Sequence, residues 1–161
     1  GQQVLGRVSD ETLRSLYRRA RMLIFPQVED FGIVALEAQA CGCPAIVTNF
    51  SAMPELVRWG HTVDPLDRIW TPMNSWQAWP NKAGIVEAME SLYAEWLSED
   101  RGQGDGWQAK RRYASAAIHS EYNWDTIVRD QWQPLMARLA ADAPPLDARY
   151  TVAVPEMAVL A

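Results

Sequence analysis

The chain has 161 residues, 48% of them hydrophobic and 22% charged, a balance that indicates one globular domain rather than a disordered segment. Its net charge of -5 argues against nucleic acid or an anionic membrane as a bulk partner. The sequence contains no apolar run of the roughly 18 to 20 residues that a membrane-spanning helix needs.

The start of the chain predicts alternating strands and helices. Residues 4 to 8 form a short apolar strand candidate, and Ser9 or Asp10 caps a helix over about residues 10 to 20. The run MLIF, closed by Pro26, has the length and composition of a buried parallel strand. The predicted inner face of the helix contains Leu13, Leu16, Tyr17 and Ala20.

A second helix is predicted from about Ile33 to Gly42, because glycine is a natural helix C-cap and Pro44 prevents any continuation. Residues 45 to 48, AIVT, then predict another buried strand. Strands and helices that alternate through short loops imply right-handed crossovers and a parallel sheet. We therefore predict an α/β fold in which helices cover both faces of a Rossmann-like sheet.

The middle of the chain is less regular. Residues 49 to 60 predict a turn, a short helix and a glycine stop, and residues 61 to 64 predict a last short strand. Residues 65 to 81 predict a mobile loop that contains Trp70, Trp76 and Trp79. These indoles either stack on the sugar faces of an acceptor or pack against neighbouring helices, the more common outcome for large aromatic side chains.

Helices are predicted for most of the remaining chain. They span about residues 82 to 98, 107 to 120 and 123 to 140, and Pro134 must kink the last one or end it early. The expected inner residues of the last helix are Trp124, Ile127, Val128 and Leu135. We assign residues 1 to 141 to one partial domain with terminal helices, and residues 142 to 161 to a tail.

Residues 26 to 48 combine the features of a ligand site. In a parallel sheet, ligands bind beyond the carboxyl ends of the strands, where helix N–H groups are free. Gly32 lets the main chain approach a ligand, and the helix that follows presents its positive end, which suits a diphosphate. Glu29 lies before this turn and Glu37 lies about one helical turn beyond it, so each carboxylate can bind hydroxyls of one sugar. This pattern suits a nucleotide-sugar, although both acids could also be solvated surface charges.

Cys41 and Cys43 are the two cysteines of the chain. The sequence has no further Cys or nearby His to complete a zinc site, and a Cys-x-Cys pair is a poor disulfide candidate. We interpret them as small buried residues between a helix and a strand, in a reducing compartment.

The run EDFGIVALEAQACGCPAIVT resembles the donor-site signature of retaining glycosyltransferases of the family-4 type, which have two Rossmann-like domains in the GT-B architecture. The preceding VLGRVSDETLRSLYRRARMLIFPQ and the following SAMPELV are similar to the same family, so that the resemblance covers about residues 4 to 65. It implies that this chain is part of a C-terminal, donor-binding domain.

The resemblance implies a role for each matching residue. Glu29 would contact hydroxyls of the donor sugar, with a catalytic role in positioning and electrostatics rather than as a nucleophile. Glu37 would bind the nucleotide ribose. The backbone amides expected to contact the sugar and the diphosphate belong to Phe31, Gly32, Ile33 and Val34. No cofactor and no metal ion is expected, and the sequence has no Asp-x-Asp metal motif.

A complete enzyme of this kind has parts that the sequence does not match. Gly6-Arg7 is not the family's glycine-rich strand end, which an Arg and a Lys follow, and an N-terminal acceptor-binding domain is missing. Since the first residue is Gly1 rather than Met, we expect a fragment that is inactive alone. The full-length protein would transfer a sugar with retention to a glycan, lipid or small-molecule acceptor, in the cytoplasm or at the membrane periphery.

Two alternatives remain open at this point. One is a nucleotide-sugar epimerase or a phosphorylase on the same scaffold. The other is a non-catalytic binding or structural module that kept the fold and lost the chemistry. The sequence leaves the nucleobase, the sugar and the acceptor undetermined.

Overall fold

The computed structural model describes residues 2–102 and 106–142. The chain divides into two compact units, one ending at Asn123 and the other beginning at Trp124. The predicted tail from residue 142 lies, apart from Asp142 itself, outside the described residues.

The first unit contains a three-stranded parallel sheet in the order β1-β2-β3. The strands are β1 (Leu23–Phe25), β2 (Ala45–Thr48) and β3 (Gly60–Val63), and the central strand β2 is buried along its whole length. In the register, Ile24 lies opposite Ile46, which lies opposite His61. The apolar runs LIF and AIVT therefore form parallel strands, as the sequence predicts. Only AIVT is buried, whereas Ile24 in LIF is 39% exposed, so the predicted burial of the first run is wrong.

Five helices of the first unit surround this sheet. They are α1 (Asp10–Arg19), α2 (Ile33–Ala40), α3 (Met53–Leu56), α4 (Lys82–Asp100) and α5 (Gly106–Glu121). Alternate side chains of β2 point to opposite faces of the sheet. Ala45 and Val47 pack with residues of α2 and α3, whereas Ile46 packs with residues of α4 and α5. The predicted α/β fold, with helices on both faces of a parallel sheet, is thus confirmed.

Side-chain caps fix the amino ends of two helices. The hydroxyl of Ser9 accepts a hydrogen bond from the backbone N–H of Thr12 at 3.3 Å, which makes Ser9 rather than Asp10 the N-cap of α1. Asn81 Oδ1 accepts from the N–H of Gly84 at 3.1 Å and caps α4 in the same way. The predicted inner face of α1 is less covered than expected, since α1 has no buried residue.

The strand predicted over residues 4 to 8 is wrong. The described residues before α1 form no strand, and the side chain of Val4 is 89% exposed. A short apolar run becomes a strand only when its backbone groups pair with a neighbouring strand, and here the first strand of the sheet is β1.

The loop predicted over residues 65 to 81 is also wrong. It forms an antiparallel hairpin of β4 (Asp67–Thr71) and β5 (Ser75–Trp79). The turn is set by Pro72, whose ring favours the first central turn position, and by Asn74, which adopts the left-handed conformation at φ 57°. The N–H of Asn74 donates to the carbonyl of Thr71 at 3.0 Å and closes the turn.

Gly60 has a different role from the one that the sequence suggested. It was predicted to end a helix, but it begins β3, with φ at +134°. A Cβ at this position would lie 1.9 Å from the carbonyl oxygen of Ala45, so that only glycine allows β3 to approach β2 this closely.

The second unit contains α6 (Trp124–Ile127), a π-helical turn (Val128–Trp132) and α7 (Gln133–Asp142). The π turn comes just before Pro134, which has no N–H to continue the α-helical pattern. The helix does not end early at Pro134, since α7 continues to Asp142; the π-helical turn is the irregularity that precedes the proline. The prediction of a buried inner face is wrong, because none of these helical residues is buried and Trp124 is 70% exposed. None of the described helices is long and apolar enough to span a membrane.

Candidate functional site

The carboxyl ends of the three parallel strands are tied together at one edge of the sheet. The hydroxyl of Thr48 donates to the carbonyl of Pro26 at 3.0 Å, which joins the chain after β1 to the end of β2. The backbone N–H of Asn49 donates to the carbonyl of Val63 at 2.8 Å, and its side-chain amide donates to Asp64 at 2.6 Å. This edge is the position where ligands bind in open parallel sheets.

The amino end of α2 opens at this edge. Gly32 precedes the helix in the left-handed conformation at φ 87°, and within the described residues no side chain caps the helix. Phe31 and Ile33 on either side are exposed. Uncapped helix N–H groups carry a partial positive charge and are donors for an anion.

The structure gives a second reason for glycine at position 32. A Cβ there would lie 2.7 Å from Met53 Sδ and 3.2 Å from Leu56 Cδ1, both of which belong to α3. Glycine is thus required by the backbone conformation and by the contact with α3, besides the ligand approach that the sequence suggested.

Glu29 lies in the loop between β1 and α2 and borders a cavity of about 530 Å³. The wall opposite this loop is formed by the hairpin residues Ser75, Trp76 and Gln77. The loop after β2 contributes Phe50 and Ser51. The hairpin that replaces the predicted loop therefore brings Trp76 to the same cavity as Glu29.

Glu37 is exposed on α2 and borders a different cleft, of about 250 Å³, between α1 and α2. Asp10, Arg14 and Tyr17 of α1 line its other side. Burial and then the charge of Glu37 raise the pKa of Tyr17 above its usual value. Glu37 thus lies beside a phenol that stays protonated at neutral pH and can donate a hydrogen bond.

The two acids that the sequence singled out therefore border two separate cavities: Glu29 borders the one beside the hairpin, and Glu37 borders the one between α1 and the carboxyl-terminal half of α2. Sequence reasoning missed the partners that complete these cavities. The hairpin signal was present in the turn residues Thr71 to Ser75, whereas the place of Tyr17 beside Glu37 depends on how α1 packs.

Gln39 positions α2 relative to the chain that enters β3, a role that no sequence pattern indicates. Its side chain is fully buried. The amide nitrogen donates to the carbonyls of Ala35 at 2.9 Å and Leu56 at 3.0 Å. The amide oxygen accepts from the backbone N–H groups of Arg58 at 2.7 Å and Trp59 at 3.1 Å. This buried amide fixes the helix that carries Glu37.

Helix α5 holds the opposite end of α2. The hydroxyl of Ser115 donates to the carbonyl of Ala40 at 2.7 Å, and Arg111 donates to the carbonyl of Arg18 at 2.8 Å. Glu121, near the end of α5, forms an ion pair with Arg58. The guanidinium of Arg58 holds the pKa of Glu121 below its usual value.

Both cysteines lie as free thiols between α2 and β2. Cys43 is buried, and burial raises the pKa of its thiol to about 11. In the part of the chain that the structure describes, no group of three or more His, Cys, Asp or Glu side chains is placed to hold a metal ion.

Residues 1–101 match the family of group 1 glycosyl transferases. The chain belongs to this family. The match includes the parallel sheet, both acid-lined cavities and the hairpin. A Rossmann-like sheet of the GT-B type is therefore the setting of the site.

Characterised and uncharacterised members of this family resemble parts of the chain. A glycosyltransferase of Methanocaldococcus jannaschii without a characterised activity is 28% identical over 127 residues, which are 78% of this chain and 28% of the relative. The O-antigen chain mannosyltransferase B of Escherichia coli is 43% identical over 65 residues, 39% of this chain and 17% of the relative. A D-inositol 3-phosphate glycosyltransferase of Streptomyces bingchenggensis is 44% identical over 55 residues, which are 34% of this chain and 12% of the relative.

The chain spans less than a third of the length of each of these glycosyltransferases. No solved structure gives a significant match to it. The family is thus established for the domain, and sugar transfer is the activity class of the family.

Proposed function

We propose that this chain is the donor-binding part of a retaining glycosyltransferase and that it binds a nucleotide-diphosphate sugar. The observation that carries the proposal is the uncapped amino end of α2, with Glu29 in the loop before it and Glu37 about one turn along the helix, each bordering its own cavity. Membership of a glycosyltransferase family supports a sugar nucleotide as the ligand.

Each part of the donor has a matching group in this proposal. The diphosphate binds the backbone amides from Phe31 to Val34, where the helix dipole favours negative charge. The nucleotide ribose binds through its two hydroxyls to the carboxylate of Glu37, beside Tyr17. The donor sugar lies toward Glu29, in the cavity that the hairpin completes.

The proposed reaction takes place on one face of the donor sugar. The bond between the anomeric carbon and the diphosphate oxygen breaks, and a bond to the acceptor hydroxyl forms on the same face. The departing diphosphate takes the proton of that hydroxyl. Glu29 positions the sugar and stabilises positive charge at the anomeric carbon, while the amides of α2 stabilise the charge of the leaving diphosphate. The proposal includes no metal ion.

Saturation-transfer NMR of the chain with UDP-glucose, GDP-mannose and ADP-glucose tests this proposal. We expect ribose signals from at least one of the three, lost in Glu37→Ala because the ribose hydroxyls lose their acceptor. Glu90→Ala is the matched control, since Glu90 is an exposed acid on α4 that lines neither cavity. Equal ribose signals in Glu37→Ala and Glu90→Ala, or no signal from any nucleotide-sugar, would contradict the proposal.

A further inference from the structure

The β4–β5 hairpin holds one tryptophan rigidly at the cavity beside Glu29. Trp76 packs edge-to-face on its cross-strand partner Trp70, with ring centroids 5.3 Å apart and an interplanar angle of 71°. At the hairpin end, the hydroxyl of Thr71 donates to the carbonyl of Ser75 at 3.0 Å. Trp76 nevertheless stays 54% exposed, so the alternative of packing against neighbouring helices does not hold for it.

The hairpin is also joined to the carboxyl edge of the parallel sheet. The guanidinium carbon of Arg68 in β4 lies 5.0 Å from the centre of the Phe50 ring, and Phe50 follows β2. Phe50 and Trp76 line the same cavity. This cation–π contact places the hairpin wall against the site instead of leaving it as a projecting loop.

The chemistry of the cavity disfavours an anionic ligand and suits one that is rich in hydroxyl groups. Its described lining contains two carboxylates, Glu29 and Asp30, and includes no Lys or Arg. A phosphate or carboxylate ligand would therefore meet like charge. Hydroxyl groups of a sugar can donate to the carboxylates and exchange hydrogen bonds with the side chain of Gln77. The apolar face of a sugar ring suits the exposed indole of Trp76.

We propose that Trp76 and Gln77 form an acceptor subsite for an uncharged saccharide ring, next to the donor sugar at Glu29. The inference rests on the proposed function, because the donor sugar must lie at Glu29 for this cavity to be its acceptor side. The amides of α2 and Glu37 do not line this cavity, so the diphosphate and the ribose lie elsewhere. We therefore assign the cavity wall formed by the hairpin to the acceptor, the group that receives the sugar.

The test uses the 161-residue chain, methyl α-mannopyranoside and methyl α-glucopyranoside as neutral probes, and glucose 6-phosphate as the charged one. Titration is followed by the indole N–H resonances in a ¹H–¹⁵N spectrum, where Trp76→Phe identifies the Trp76 signal by its loss. We expect a neutral glycoside to shift the Trp76 resonance and glucose 6-phosphate to bind at least about tenfold more weakly because of the two carboxylates.

Three variants distinguish the loss of sugar stacking on Trp76 from a general disturbance of the hairpin. Trp76→Ala should abolish glycoside binding, measured by saturation transfer to the sugar ring, and Trp76→Phe should retain part of it because an aromatic face remains. Trp79→Ala is the matched control, since Trp79 lies on the same strand and is 58% exposed but does not line the cavity. Equal loss in Trp76→Ala and Trp79→Ala, or no glycoside signal with the unmodified chain, would overturn the subsite.

Three further readouts distinguish this inference from the proposed function and from a protein interface. Ribose signals that depend on Glu37 report donor binding, and they should persist in Trp76→Ala. If they persist while glycosides fail to bind, the subsite is wrong and the donor site stands. Displacement of the glycoside by the intact nucleotide-sugar would show that the donor occupies the hairpin side and would overturn the acceptor assignment. A sedimentation change in Trp76→Ala would make Trp76 a contact between copies, which also overturns it.

Discussion

At the scale of single residues, Gln39 shows how much one buried amide can fix. Three of its four hydrogen bonds join α2 to the end of α3 and to the residues just before β3, and the fourth, to Ala35, lies within α2. Two of them satisfy backbone N–H groups that no regular element pairs, those of Arg58 and Trp59. Because the side chain is fully buried, water cannot replace it.

We predict that Gln39→Leu lowers the free energy of unfolding by about 2 to 4 kcal/mol, because the N–H groups of Arg58 and Trp59 lose their acceptor in a dry environment. Urea denaturation followed by circular dichroism measures the change. Gln108→Leu is the matched control on the exposed side of α5 and should stay within about 0.5 kcal/mol of the parent chain. A Gln39→Leu variant as stable as Gln108→Leu would show that the buried amide is not needed.

At the scale of elements, the closest approach in the sheet is between β2 and β3, at Gly60. The backbone there has φ +134°, and its missing Cβ leaves room for the carbonyl of Ala45. Gly102, after α4, also has a positive φ, +69°, but a Cβ there would meet nothing within 4 Å. Gly102 therefore requires only a left-handed backbone conformation, whereas Gly60 also requires the absence of a Cβ.

We predict that Gly60→Ala prevents stable folding, because the clash with the Ala45 carbonyl can be relieved only by separating two strands of the central sheet. Gly102→Ala should cost only about 1 kcal/mol, the strain of a left-handed residue with a side chain. Soluble yield and thermal unfolding of both variants provide the measurement. Similar melting temperatures for the two would contradict the close approach of β3 to β2.

The same scale shows what the sequence could predict. The strands β1 and β2 were predictable because LIF and AIVT are short apolar runs between turn residues, although only AIVT is buried on both faces. The hairpin was missed because its strands carry tryptophans on an exposed surface, where no polar and apolar alternation marks a buried side. Its signal was in the turn, where Pro72 and Asn74 occupy positions that suit a three-residue hairpin loop.

The local features of the candidate site were predictable from the sequence, but the residues that pack beside them were not. Gly32 and the end of α2 follow from local backbone chemistry, and the structure places them as predicted. The pairing of Glu29 with Trp76 and of Glu37 with Tyr17 depends on long-range packing of the hairpin and of α1. Local pattern contains no information on such contacts, so these partners could not be predicted.

At the scale of the whole molecule, the proposed donor site has three separate parts. The amino end of α2 offers donors to an anion, Glu29 borders the cavity beside the hairpin, and Glu37 borders the cleft between α1 and α2. An overall net charge of -5 would repel a nucleotide diphosphate at long range, so the proposed binding depends on the local amides of α2. The two acids should therefore differ in what their loss does to catalysis.

In the full-length protein, we predict that Glu37→Ala raises the KM for the donor roughly 10- to 100-fold with little change in kcat, because the ribose is held equally in the ground state and the transition state. Glu29→Ala should instead lower kcat by a similar factor, since charge develops at the sugar beside it.

Initial-rate kinetics with radiolabelled donor separate the two effects, and Glu90→Ala should leave both constants unchanged. A fall in kcat for Glu37→Ala and a rise in KM alone for Glu29→Ala would reverse the proposed roles, and unchanged kinetics in both would move the donor site away from α2.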